Sequence, residues 1–174
     1  MRGLEDEIEE TLISLNIGYD RNQNRGNRKI LNNGQELDFY FPDYKIAIEV
    51  NGTYWHSSLQ KIKNYHFNKS KACEQLGIRL IHIWEYEWKD ELKRQKLINM
   101  LKIAFNKVDY KIYARKCTIK EITNKEAKEF NNKNHLQGHR NAQITYGLFY
   151  KNNLIQLMSF SKTKYNRNLK NEDS

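Results

Sequence analysis

Residues 36–52 read ELDFYFPDYKIAIEVNG, and this stretch decides the fold. Two apolar runs, Glu36 to Phe41 and Lys45 to Val50, flank the short connection Pro42-Asp43-Tyr44. Aromatic and β-branched side chains bounded by turn residues predict two strands, and the short connection predicts an antiparallel hairpin. Each strand carries one acid among apolar neighbours. Asp38 lies between Leu37 and Phe39, and Glu49 between Ile48 and Val50. A carboxylate in such a setting is costly unless paired or bound to a cation. Strand pairing brings the two acids to neighbouring strand ends, which makes a hard oxygen site suited to magnesium. The alternative is that both face solvent on alternating strands.

Outward from the hairpin, Asn51-Gly52-Thr53-Tyr54-Trp55-His56 leaves a strand end with two aromatics and a histidine, the pattern of a functional loop on a rigid support. Residues 59–76 predict a helix with Leu59, Ile62, Tyr65, Cys73 and Leu76 on one side and Gly77 at its end. The same helix carries His66, Lys63, Lys69 and Lys71, either a solvated face or a clamp for a phosphate. Ile78 to Trp84 is a nearly continuous apolar run that suits a buried central strand, and Glu87 to Phe105 predicts one long amphipathic helix. Before the hairpin, Leu4, Ile8, Leu12 and Leu15 recur at helical spacing, with Glu5 and Glu9 on an adjacent stripe. The polar stretch holding Arg21, Arg25, Arg28 and Lys29 reads as a loop, and residues 29–31 as a short first strand. The order helix, two or three strands, helix, strand, helix is α/β with a small mixed sheet flanked by helices.

Charge divides the chain unevenly. Of a net +9, residues 1–106 hold only +1 and residues 107–174 hold +8. The expected organisation is a first domain over 1–106, a basic connector over 107–116 with Lys111, Arg115 and Lys116, and a small α+β unit over 117–174. In that unit Thr118–Ile122 reads as a strand and Lys125–Asn132 as a helix. Tyr146–Tyr150 and Leu154–Phe160 read as a hairpin turning at Asn152-Asn153. Such a basic excess points to a polyanionic partner, because lysine and arginine gain affinity by releasing phosphate counterions. No apolar run approaches the ~18 residues of a membrane span, so a membrane partner is not expected. Two cysteines, Cys73 and Cys117, make neither a disulfide framework nor a zinc site, and reduced thiols in a cytoplasmic protein are the expectation.

ELDFYFPDYKIAIEVNGTYWH, followed by NYHFNKSKACEQLGIRLIHIWEYEW, resembles the nuclease domain of very-short-patch-repair-like endonucleases, and more closely that of phage free-standing homing endonucleases. The resemblance covers roughly residues 3–106 and implies a variant of the restriction-endonuclease-like PD-(D/E)XK core. By that resemblance Asp38 is a metal carboxylate, and His56 transfers a proton to or from the attacking water. Glu5 is the helix glutamate, with Glu9 one turn on as the alternative. Tyr54 and Trp55 match aromatics that lie against bases in repair relatives. His66 falls where those relatives carry an aspartate partner for the histidine. Asn51 replaces the lysine of the E-x-K ending, and Lys69 or Lys71 is left to supply the positive charge. Residues 111–160 are similar to the start of the region that follows the nuclease in many phage homing endonucleases.

The expectation is a DNA endonuclease dependent on magnesium (or manganese) held by Asp38 and Glu49, acting on double-stranded DNA. Glu5, His56, His66 and Lys69 complete the catalytic set. Arg21, Arg25, Arg28, Tyr54, Trp55, Lys71, Lys111, Arg115 and Lys116 are the candidate DNA contacts. Two other readings compete, a non-catalytic DNA-binding protein that keeps the fold and a nuclease subunit targeted by a partner protein. A homodimer would allow both strands to be cut.

Overall fold

The structure, a computed structural model, describes residues 3–31, 34–52 and 59–162, the side chains of 59–63 excepted. Among these the chain is mixed α/β, with six α-helices and two sheets of four and three strands. It divides into two units, residues 1–109 and 110–174.

In the first unit, α1 (Leu4–Ser14) precedes a short α2 (Arg21–Asn24) and β1 (Arg25–Asn27). The stretch read as a loop therefore holds a helical turn and the first strand, and that strand lies at 25–27 rather than 29–31. Asp20 starts the turn by accepting the Asn22 N–H at 2.8 Å, and Asn24 ties it to the sheet through the Tyr40 carbonyl at 2.8 Å. The hairpin follows as β2 (Leu37–Phe41) and β3 (Ile46–Asn51), joined by a 3-10 turn at Pro42–Tyr44 with Lys45 in the left-handed region. A crossover through α3 (Leu59–Gln75) leads to β4 (Arg79–Trp84), parallel to β3. The sheet order is β1-β2-β3-β4.

Gly77 takes φ +68, and the Ile78 and Gly77 N–H groups return to the Cys73 and Glu74 carbonyls at 2.9 Å each, a Schellman ending that turns the chain into β4. The long helix expected at 87–105 is two, α4 (Glu85–Trp88) and α5 (Glu91–Ala104). Asp90 divides them because its carboxylate accepts the Lys93 N–H and caps the second helix.

Strand alternation gives the sheet two different faces. Phe39, Phe41, Ile46, Ile48, Ile81 and Ile83 are buried, and Phe39, Ile48 and Ile81 align across three strands. On this side Phe41 meets Phe105 edge-on at 4.8 Å, and Tyr19 touches Phe39 and Phe41 at about 6 Å. Each such buried side chain contributes roughly 1.5–3 kcal/mol. The opposite face carries Asp38, Ala47, Glu49, Asn51, Leu80, His82 and Trp84, and α3 lies against it, with Cys73 packed beside Ala47.

In the second unit β5 (Thr118–Glu121), α6 (Asn124–Asn134), β6 (Ile144–Tyr150) and β7 (Asn153–Phe160) form an antiparallel sheet in the order β5-β6-β7. Thr123 and Glu126 form a capping box at the start of α6. The hairpin turns at Lys151-Asn152, with φ of 47° and 64°, one residue before the expected site. A two-residue turn that matches strand twist needs both central residues at positive φ, which releases Asn153 to pair with Tyr150. Thr145 and Gly147 are buried on one sheet face. The other face exposes Ile119, Ile144, Tyr146, Met158 and Phe160.

No helix among the described residues is long and apolar enough to cross a membrane.

Candidate active site

The β2–β3 ladder pairs Phe41 with Ile46, Tyr40 with Ala47 and Phe39 with Ile48. One step further along this register stand Asp38 and Glu49. Asp38 Oδ2 accepts the Val50 N–H at 2.7 Å, so a side chain extends the ladder and fixes the carboxylate at the strand end. Glu49 is only 6% exposed. The hairpin therefore brings the two acids together on the face that α3 covers.

The crossover helix supplies the cation. Lys69 is 1% exposed, and its Nζ lies 2.5 Å from Glu49 Oε2. Lys71, the other candidate, is exposed. Of the expected apolar stripe Cys73 is buried, but Tyr65 and Leu76 are exposed, and Lys69 is buried instead. A lysine tolerates that position because a carboxylate neutralises it there.

Burial raises the proton affinity of both acids. For Asp38 desolvation outweighs the Val50 hydrogen bond and the attraction of Lys69, and the Glu5 and Glu36 charges push in the same upward direction. Glu49 is pushed up to about 7, first by desolvation and then by Asp38, with Lys69 opposing. One lysine thus faces two mutually repelling carboxylates, an arrangement a further cation would relieve. Oxygen donors from Asp38 and Glu49 fit a hard divalent ion such as magnesium, with water completing its shell. Among the described residues no cluster of three or more His, Cys, Asp or Glu gathers as a metal cage.

Beside this pair lies a polar group that the sequence reading assigned no role. His82 is the cross-strand partner of Glu49. Its Nδ1 stands 3.3 Å from Asn51 Nδ2, and its Nε2 3.1 Å from Ser70 Oγ. The Trp84 ring stacks near it at 6.3 Å, and the His66 ring meets it edge-on at 5.4 Å. Desolvation, then His66 and Lys69, holds His82 down at about 4, so the ring is neutral near pH 7. His66 is lowered by the same desolvation and by Lys69, and its Nδ1 is buried without a hydrogen-bond partner among the described residues. The available sequence signal was parity, since Leu80, His82 and Trp84 alternate with Ile81 and Ile83 and must share Glu49's face.

The remaining expected residues separate into three groups. Glu5 projects from α1 and pairs with Arg25 at 2.9 Å. Arg25 also holds Asp6 at 2.9 Å and the buried Glu9 at 2.5 Å, while Tyr19 donates to Glu9 at 2.9 Å. Arg21 lies 3.6–3.7 Å from Glu9 and Asp6, and Arg28 is 2.5 Å from Glu36. Lys111, Arg115 and Lys116 are exposed in the second unit. Tyr54, Trp55 and His56 lie outside the described residues.

No protein-family model matches the chain, and no curated protein is significantly similar to it in sequence.

Proposed function

We propose that the chain is a magnesium-dependent endonuclease that hydrolyses phosphodiester bonds in double-stranded DNA, built on a restriction-endonuclease-like core and akin to phage homing endonucleases. The observation that carries this reading is the meeting of three groups from three elements. Asp38 and Glu49 arrive on adjacent strands, and Lys69 reaches Glu49 from the crossover helix. Lysine in that place restores the charge that Asn51 does not carry in the E-x-K position.

A bound magnesium (or manganese) ion supplies Lewis-acid chemistry, lowering the pKa of water and neutralising charge on the phosphate. Asp38 and Glu49 are the residues that would hold it. Lys69 places a fixed positive charge at the same edge, where it stabilises a phosphoryl oxygen as negative charge develops. His56 accepts the proton of the attacking water, as a neutral imidazole near pH 7 can. Glu5 and His66 flank the site from α1 and α3. The exposed Lys111, Arg115 and Lys116 contact phosphates and set register rather than sequence. Arg25 is left out of the DNA contacts because three carboxylates already occupy its donors.

The test is cleavage of supercoiled plasmid by the purified chain with magnesium, with EDTA, and with Asp38→Asn. The expected result is nicked or linear product in magnesium alone, lost in the variant while DNA binding persists. Binding without cleavage by the wild type would favour the non-catalytic reading. Cleavage that requires an added protein would favour a targeted subunit.

A further inference from the structure

The Asn51–His82–Ser70 bridge joins the two elements on which the candidate site depends. Asn51 is two residues past Glu49 on β3, Ser70 follows Lys69 on α3, and His82 stands between them on β4. We infer that His82 is a positioning residue that locks α3 onto β3–β4 and thereby sets the Lys69 amine against Glu49. This rests on the nuclease reading only for its kinetic consequence.

The hydrogen bonds define which form of the ring does this. An amide nitrogen donates, so Asn51 Nδ2 gives its hydrogen to His82 Nδ1, which must be bare. The proton then sits on Nε2 and is donated to Ser70 Oγ. Asn51 selects this tautomer and the Ser70 hydroxyl, able to accept as well as donate, accommodates it, so the bridge runs from β3 through β4 to α3. Trp84 and His66 enclose the ring on its flanks. An imidazole with both nitrogens engaged and two aromatic neighbours has little freedom to rotate. Lys69 has a long, flexible stem, and the buried end of such a stem is placed by the helix that carries it. A local lock one residue away is therefore the element that decides where its charge sits.

This role differs from simple packing in what it demands of a replacement. Leucine fills the volume and breaks both bonds. Asparagine keeps an acceptor near the Nδ1 place and so preserves the Asn51 arm. Glutamine keeps a donor near the Nε2 place and so preserves the Ser70 arm, the one that reaches α3.

The experiment uses the full chain and four proteins: wild type, His82→Leu, His82→Asn and His82→Gln. Near-ultraviolet circular dichroism identifies which are folded. Two readouts follow, kcat and KM for plasmid cleavage in magnesium, and the nitrogen-15 resonance of the Lys69 ammonium with its hydrogen-exchange protection. The expected result is a kcat loss of roughly tenfold to 10²-fold in His82→Leu, the scale of a misplaced group, with KM unchanged and Lys69 protection lost. His82→Gln recovers rate and protection, and His82→Asn recovers less. A folded His82→Leu with wild-type kcat and a protected Lys69 would overturn the inference. So would equal recovery by leucine, asparagine and glutamine. Should leucine fail to fold, the Gln-over-Asn ordering decides. A wild type that does not cut sinks the nuclease reading alone, and Lys69 protection across the variants still decides what His82 does.

Discussion

Lys69 Nζ sits 2.5 Å from Glu49 Oε2, and both side chains are almost wholly withdrawn from water. The two residues are twenty apart in the chain, one on a helix and one on a strand. Taking two charges out of water costs several kcal/mol per ion, and only their mutual attraction offsets it. The pair is therefore a weak source of stability and a strong constraint on what either position accepts.

Lys69→Met should destabilise the protein by about 3–5 kcal/mol, the usual cost of stranding one member of a buried pair. The double variant Lys69→Met, Glu49→Gln should recover much of that loss, because no charge at either position is left unmatched. Urea unfolding of the wild type, the single variant and the double variant measures this. A double variant as unstable as the single one would show that the pair's attraction is not what holds the lysine inside.

The pH dependence of Glu49 has a definite sign. Its folded value is raised from 4.5 to about 7 by desolvation and by Asp38. The folded protein thus holds this proton more tightly than the unfolded chain does. Its contribution to stability is fully present below about pH 4.5 and is lost as pH rises through about 7. Glu49→Gln keeps a neutral group, so it should gain on the wild type in thermal melts across that window. A difference between the two that stays constant with pH would remove the raised value. Under the nuclease reading, magnesium binds the ionised form, so its stabilising effect on the wild type grows over the same window.

Deleting residues 110–174 removes +8 of the net charge. Affinity from n neutralised phosphates falls with salt at a log–log slope of about −0.9n. Under the nuclease reading, the deletion should therefore weaken DNA binding most at low salt and flatten the slope. Fluorescence anisotropy over a salt series reads it, and an unchanged slope would mean that the basic unit does not touch the DNA.

Gly147→Ala tests the close packing of the second sheet. A Cβ there would stand 2.6 Å from Leu154 Cδ1, 2.9 Å from the Phe149 ring and 3.0 Å from Ile122 Cγ2. Three side chains would have to shift together, so a loss of about 1–3 kcal/mol is expected. Chemical denaturation followed by tyrosine fluorescence checks it. A neutral effect would mean that Leu154 and Phe149 repack freely.

The hairpin was legible because its signals agree. Apolar runs, a Pro-Asp connection and Asn51-Gly52 all favour the same two strands, and the two acids stand out against them. Lys69 was legible only as one of two lysines, since helical spacing does not say which side of α3 meets the sheet when the buried side is polar. His82 was missed because its run reads as plain core, and its partners Asn51 and Ser70 come from elements that touch only after the crossover closes. The division at Asp90 was missed because apolar periodicity continues across it, while a single carboxylate cap decides the boundary. The arginines of the 21–29 stretch looked free for phosphate because their acidic partners lie on α1 and at Glu36. Which charges pair across such distances is a tertiary fact.

The parallel step from β3 to β4 has a consequence for the order in which the molecule is assembled. A hairpin with a four-residue connection closes on a scale of about 1–10 μs. Parallel pairing must first close a long crossover, which is slower because chain entropy is lost before contacts reward it. Asp38 and Glu49 are thus brought together early, as two repelling acids, while Lys69 and His82 arrive only when α3 and β4 dock. On a growing polypeptide the acidic half of the site is synthesised before the residues that neutralise and brace it. Competence of the site is thereby tied to completion of the sheet, and a folding intermediate that holds only the hairpin is chemically unfinished.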